Sequence, residues 1–228
     1  MKKLALTLPL IAVLSAPAFA EEAQDVNYGD PTASYTGLGM SRGADATQFN
    51  GIYGMGSHIF TADVTVADKK DDLTGQVSAR GRYFHVTEGL GYSLDIIGNK
   101  AMTGAIAGAM YKFQVTPNIM LFPMAGIGYA ATEFTYEDTK VSESSMMNQV
   151  GAYAMYAFDN GNWVYANPRT TYINEAKTRF NEVTLGGGMM IAPQASLGLK
   201  VEHVLNDTAL KMDKKDATSV WVNANYYF

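Results

Sequence analysis

The chain has 228 residues, 17 Lys and Arg against 22 Asp and Glu, a formal net charge of −5, 47% hydrophobic residues and no cysteine. An acidic balance without basic clusters leaves no electrostatic footprint for nucleic acid. The absence of thiols excludes disulfides, thiolate metal sites and cysteine nucleophiles.

Lys2 and Lys3 open a basic start, Leu4 to Leu14 is mostly apolar, and Ala18-Phe19-Ala20 has the small-x-small form of a cleavage site. Residues 1–20 therefore read as a secretory signal peptide with the mature domain spanning 21–228, since an apolar run of about eleven residues is well short of the ~20 a membrane helix needs. An exported domain without disulfides must draw its stability from elsewhere, and a closed barrel in lipid is one source. The mean hydropathy near zero agrees, because barrel strands average an apolar face with a polar one.

No later run suits a membrane helix: Ile119 to Ala131 is broken by Pro123, Gly126 and Gly128. Period two dominates instead. Two glycine-crowded strands are expected near Ser34 to Ser41 and Gln48 to Met55. Phe60, Ala62, Val64 and Val66 then alternate with Thr61, Asp63 and Thr65, and Val77, Ala79, Gly81 and Tyr83 with Ser78, Arg80 and Arg82. Tyr92, Leu94 and Ile96 alternate with Ser93, Asp95 and Ile97. From Ala105 to Val115 the apolar register places Lys112 on the opposite face, Thr116-Pro117-Asn118 turns the chain, and Ile119, Leu121, Pro123, Ala125, Ile127 and Tyr129 begin the next apolar face.

Val150 to Phe158 runs into Asp159-Asn160-Gly161-Asn162, whose Asn-Gly is a strong hairpin signal. For Trp163 to Tyr172 two registers stay open: a bulge at Pro168 that turns Trp163 and Tyr165 outward with Arg169 inward, or all three inward. Val183 to Ile191 leads into Ala192-Pro193-Gln194, after which Leu197, Leu199 and Val201 alternate with Gly198, Lys200 and Glu202. The chain stops on Val220, Val222, Ala224, Tyr226 and Phe228 along one face, with Trp221, Asn223, Asn225 and Tyr227 on the other.

This terminal strand ending on Phe resembles that of Gram-negative outer-membrane β-barrel proteins of the small porin-like type. The resemblance implies a transmembrane antiparallel up-and-down β-barrel, all-β, in contact with outer-membrane lipid. It also implies that Tyr226 and Phe228 form an assembly signal read by the barrel-assembly machinery after delivery by periplasmic chaperones.

Tight connections at Gly56-Ser57, Thr87 to Gly89, Thr116 to Asn118, Asp159 to Asn162 and Ala192 to Gln194 are expected to face the periplasm. Longer polar ones at Arg42 to Thr47, Asp68 to Thr74, Gly98 to Met102, Thr132 to Ser145, Ile173 to Thr178 and Asn206 to Asp216 are expected outside. This gives twelve strands, or ten if Asp25 to Met55 serves as a plug or tether. Pro123 and Pro168, which cannot donate to a ladder, are each expected at a bulge.

The inward register collects Asp63, Arg80, Arg82, Asp95, Lys112, Arg169, Glu182, Lys200 and Glu202, charges that must meet water or one another. Inward glycines leave twelve strands hard to fill, so these nine residues are expected to line a narrow water-filled channel that passes small solutes. Met110, Met124, Met155, Met190 and Tyr153 make it less polar than a general porin. The alternative is a closed structural or adhesion barrel acting through its outer loops. His58, His85 and His203 are isolated, with no convergent nucleophile and base, so neither catalysis nor a cofactor is expected. The aspartates at 68, 71, 72, 207, 213 and 216 lack Ca²⁺-loop spacing.

Overall fold

The computed structural model describes residues 26–71, 75–87, 89–136, 139–175, 177–205 and 217–228. They form β1 (Gly37–Arg42), β2 (Ala46–Met55), β3 (His58–Asp71), β4 (Gly75–Thr87), β5 (Leu90–Gly98), β6 (Met102–Tyr111), β7 (Phe113–Gln114), β8 (Ile119–Tyr136), β9 (Thr139–Ala157), β10 (Trp163–Ile173), β11 (Thr178–Ala192), β12 (Ala195–Val204) and β13 (Thr218–Tyr227). Successive strands pair antiparallel, and β1 pairs with β13 from Gly37↔Tyr227 to Arg42↔Val222, which closes the sheet. β6 and β7 meet β8 in one unbroken register, Met110↔Met124 and Phe113↔Leu121, so they are halves of a single stave. The barrel has twelve staves. The ten-stave alternative fails because β1 and β2 are each paired on both sides.

Alternation decides which way each side chain points. Val64, Ile96, Ile127, Val150, Leu199 and Val222 stand on the outer surface at 40–63% exposure, part of an apolar belt too broad for a surface facing water. Gly56 and Gly161, at φ 57° and 82°, supply the left-handed backbone that their tight turns need. Both lie at the end that holds the short connections and both ends of the ladder, Gly37 and Tyr227.

Three expectations need correction. Thr132 to Ser145 is no loop: β8 and β9 continue pairing through Thr132↔Glu143 to Tyr136↔Thr139. A two-stranded antiparallel ladder needs no apolar face, so a polar run can extend it beyond the membrane. Likewise β3 continues to Asp71, into the expected Asp68 to Thr74 loop.

The prolines make gaps instead of bulges. Pro123 pairs with Ala152 in an unshifted register, while the ladder on its other side skips Tyr111 and Lys112, where its missing N–H would have donated. Pro168 pairs with Val183, and the β9–β10 ladder passes from Ala166↔Ala154 to Arg169↔Gly151 without shifting. The register at β10 is therefore the all-inward one: Trp163 is buried inside and Pro168 is exposed on the outer face. The expected signal peptide and the Asn206 to Asp216 loop lie outside the described residues.

Candidate functional site

The barrel interior is zoned along its axis. At the short-turn end, Ile59, Phe84, Met110, Met120, Phe122, Met155 and Trp163 are buried together, with Ile52, Met124, Tyr153 and Met190 packed against them. The inward methionines and Tyr153 expected to make the lumen less polar thus gather in one layer at its base.

Residues 26–36, ahead of β1, lie within this layer. Tyr28 stacks on Tyr227 with centroids 3.6 Å apart, and Tyr35 meets both rings edge-on. The Tyr153 hydroxyl donates to the Gly29 carbonyl at 2.9 Å, and the Tyr35 hydroxyl donates to that of Tyr28 at 3.1 Å. A Cβ on Gly29 would fall 2.3 Å from the Trp163 ring, so only glycine lets the backbone lie on the indole. Lys112 reaches in from the break between β6 and β7, and its Nζ lies 2.5 Å from Asp30 Oδ2. Asp30 also accepts from the Thr32 N–H at 2.8 Å, and Asn27 from the Gly29 N–H at 2.9 Å, which folds the segment on itself.

Above this layer opens a cavity of about 390 Å³, walled by Arg80, Arg82, Asp95, Arg169, Lys200 and Glu202 and by the amides of Asn50, Asn167, Asn223 and Asn225. A second cavity of about 390 Å³ shares Arg80, Lys200 and Glu202 and continues toward the loop end past Asp63, Thr65 and Asn99. Asp95, 6% exposed, accepts from Arg80 at 2.9 Å and bidentately from Arg82. Arg169 pairs with Glu182, and Lys200 with Glu202 at 2.9 Å. Glu202 also accepts from the Trp221 indole at 2.9 Å. Asp63 stands opposite Arg80 in register. The five paired cations keep 21–31% of their side-chain surface accessible, so these pairs are not sealed in a dry core.

Two of the inward glycines, expected to leave open space, instead make room for neighbouring rings. A Cβ on Gly186 would fall 2.6 Å from the Tyr165 ring, and one on Gly188 would fall 2.3 Å from Trp163. Each ring therefore packs against a bare stretch of wall that a side chain would have occupied. Sequence reasoning missed Tyr28, Asp30 and Tyr35. Their only local signal is two aromatics beside an Asn/Asp/Gly/Pro run.

Tyr226 and Phe228 sit on the outer face at the short-turn end, edge to face at 5.3 Å. The Tyr226 hydroxyl donates to Gln194 at 2.9 Å, and the Phe228 N–H donates to the Thr36 carbonyl at 2.9 Å. His58 shares a hydrogen bond with Tyr83 at 2.8 Å, and His203 one with Thr218 at 2.8 Å. Ser219 is across from Glu202 in register, on the face opposite His203. Asp68 pairs with Arg42, and Asp207, Asp213 and Asp216 lie outside the described residues.

A family model described as outer membrane protein beta-barrel domain matches residues 6–190. A comparison with curated proteins finds no match. Among solved structures, the NanC porin aligns over 86% of this chain and 100% of its own, with TM-score 0.58 and 8% identity. The KdgM porin aligns over 85% and 98%, with TM-score 0.53 and 7% identity. An outer membrane channel from Pseudomonas putida F1 aligns over 86% and 96%, with TM-score 0.50 and 8% identity. At such identities the likeness concerns architecture alone.

Proposed function

Since this chain belongs to the outer membrane protein β-barrel family and resides in the outer membrane, we propose that it is a narrow passive channel for small solutes. One observation carries the reading: four ion-paired cations inside the barrel, Arg80, Arg82, Arg169 and Lys200, keep 21–31% of their side-chain surface accessible beside cavities walled by amides and carboxylates. A packed interior would have sealed them, at a desolvation cost of several kcal/mol per ion. In this reading Asp63, Arg80, Arg82, Asp95, Lys112, Arg169, Glu182, Lys200 and Glu202 line the aqueous path. Signs are mixed along it, so charge selectivity is weak.

Export through a signal peptide at 1–20, with 21–228 as the barrel, belongs to the same proposal. So does recognition of Tyr226 and Phe228 by the assembly machinery after chaperone delivery. The porin architecture of the neighbours supports a channel without a catalytic role.

A second reading, a closed barrel working through its outer loops, draws support from the pairing of these cations, from the Lys112–Asp30 pair and from the filled short-turn end. Planar-bilayer recording of the refolded mature chain separates the two. Discrete conductance steps support the channel, and correctly folded barrel that inserts but stays silent even without residues 27–33 refutes it.

A further inference from the structure

We propose that residues 27–36 form a displaceable plug across the periplasmic mouth, latched by the ion pair between Asp30 and Lys112. This rests on the channel reading of the lumen. The geometry is that of a bar across an opening. Tyr28 stacks on Tyr227 of β13, whereas Asp30, two residues later, is bound to Lys112 at the β6–β7 break. In the strand order of this closed barrel, with β6 and β7 as one stave, β13 and that break are six staves apart in either direction. The contacts at the two ends of the bar are thus on diametrically opposite walls. Between them, Gly29 lies on Trp163 and accepts from Tyr153, which fills the gap left inside the ring of Phe84, Met110, Phe122 and Met155.

The same contacts make the bar removable. Residues 27–35 take part in no strand pairing, and the backbone bonds that fold the segment are its own, Asp30 N–H to the Asn27 carbonyl at 3.0 Å and Ala33 N–H to that of Asp30 at 3.1 Å. Withdrawal therefore breaks no stave. The segment is joined to β1 at Gly37, on the rim, so it can swing out as a folded unit without threading the lumen. Among the described residues it is held by one ion pair, one hydroxyl bond, ring contacts and the packing of Ser34 and Tyr35 on Gly54, with the Phe228 N–H to Thr36 carbonyl bond at the hinge, and no stave pairing, an assembly nearer the low-stability end of a structure than the ladders. Lys112 is 31% exposed, so water can take over its charge when the latch opens.

The test uses bilayer recordings of the mature chain and four variants, each first shown to fold by its heat-modifiable gel shift. Deleting residues 27–33 should raise the conductance severalfold and abolish spontaneous closures. Asp30→Asn should keep the open level and shift the closed-to-open ratio by about tenfold toward open, the effect of one lost charge-assisted bond. Exchanging the charges, Asp30→Lys with Lys112→Asp, should restore the wild-type ratio, whereas Asp30→Lys alone should stay open. Wild type and deletion conducting alike, with identical closures, would overturn the plug while leaving the channel intact. Silence from both would instead sink the channel reading itself. Failure of the exchanged pair to restore closure would refute the latch.

Discussion

Replacing Asp95 with Asn asks the lumen directly whether it is wet. Asp95 is the one carboxylate paired with both Arg80 and Arg82, at 2.9 Å from the first and bidentate to the second. The amide removes its charge at nearly constant volume and strands two guanidinium groups. In a dry interior, breaking such a pair costs about 3–5 kcal/mol, because the orphaned charges have nothing to solvate them. Here the arginine side chains already have 31% and 25% of their surface accessible, so lumen water should repay most of that, leaving a loss of roughly 1–2 kcal/mol, nearer the value for exposed pairs. Urea titration of folded barrel in detergent, with wild-type slope, would read this as a modest drop in midpoint. Two uncompensated cations on the path should also move the reversal potential in a salt gradient toward anion preference. A loss of about 4 kcal/mol or more, with the reversal potential unmoved, would show the arginines to be dry and would refute the aqueous path.

Gly188→Val must push Trp163 off the wall, since the added Cβ would sit 2.3 Å from its ring. Conductance should fall, with a stability loss of about 1–3 kcal/mol seen in the same urea titration. Deleting Phe228 removes one outward aromatic worth about 2 kcal/mol of burial. It should lower outer-membrane levels and raise periplasmic degradation in cells, with refolding into detergent preserved, and normal cellular levels would reduce it to a girdle residue. An epitope inserted between Tyr136 and Thr139 should be labelled on intact cells, whereas labelling only after permeabilisation would reverse the orientation. Glu175, in the β10–β11 connection, is held below the ordinary carboxylate range by its own backbone N–H, by Ser145 and by the Met146 N–H. The clasp is complete at neutral pH and should be lost as pH falls below the ordinary glutamate range near ~4.3, read as faster amide exchange at Met146 than pH alone explains.

The staves were legible because lipid enforces alternation. From Val220 to Phe228 every second residue must be apolar, a constraint a reader sees without a partner strand. That constraint ends at the membrane surface, which is why Thr132 to Ser145 looked like a loop. It also says nothing about hydrogen bonds, so the prolines suggested bulges although a gap without register shift satisfies the same geometry. The inward charges were placed by the same period, but their partners were not. Arg82 and Asp95 are opposite each other only once the β4–β5 register is known, and Asp30 meets Lys112 across 82 residues of sequence. Nothing local to the Tyr28–Pro31 stretch announces where it docks.

The height of the β8–β9 hairpin sets it apart from the rest of the wall. Its strands have 18 and 19 residues against the ~9–11 that cross a bilayer, and β8 runs four residues, ~13 Å, beyond its last pair with β6. Pairing to β6 ends at Thr132 and pairing to β10 at Met147, beyond which the two strands have ladders only with each other. Inside the ring each strand is braced on both flanks, and its melting is a property of the whole barrel. Above it stands a lone ribbon of a kind only marginally stable in water. The molecule thus carries a mast whose persistence depends on local chemistry alone, free to be shaved, exchanged or lengthened without the hull registering the change.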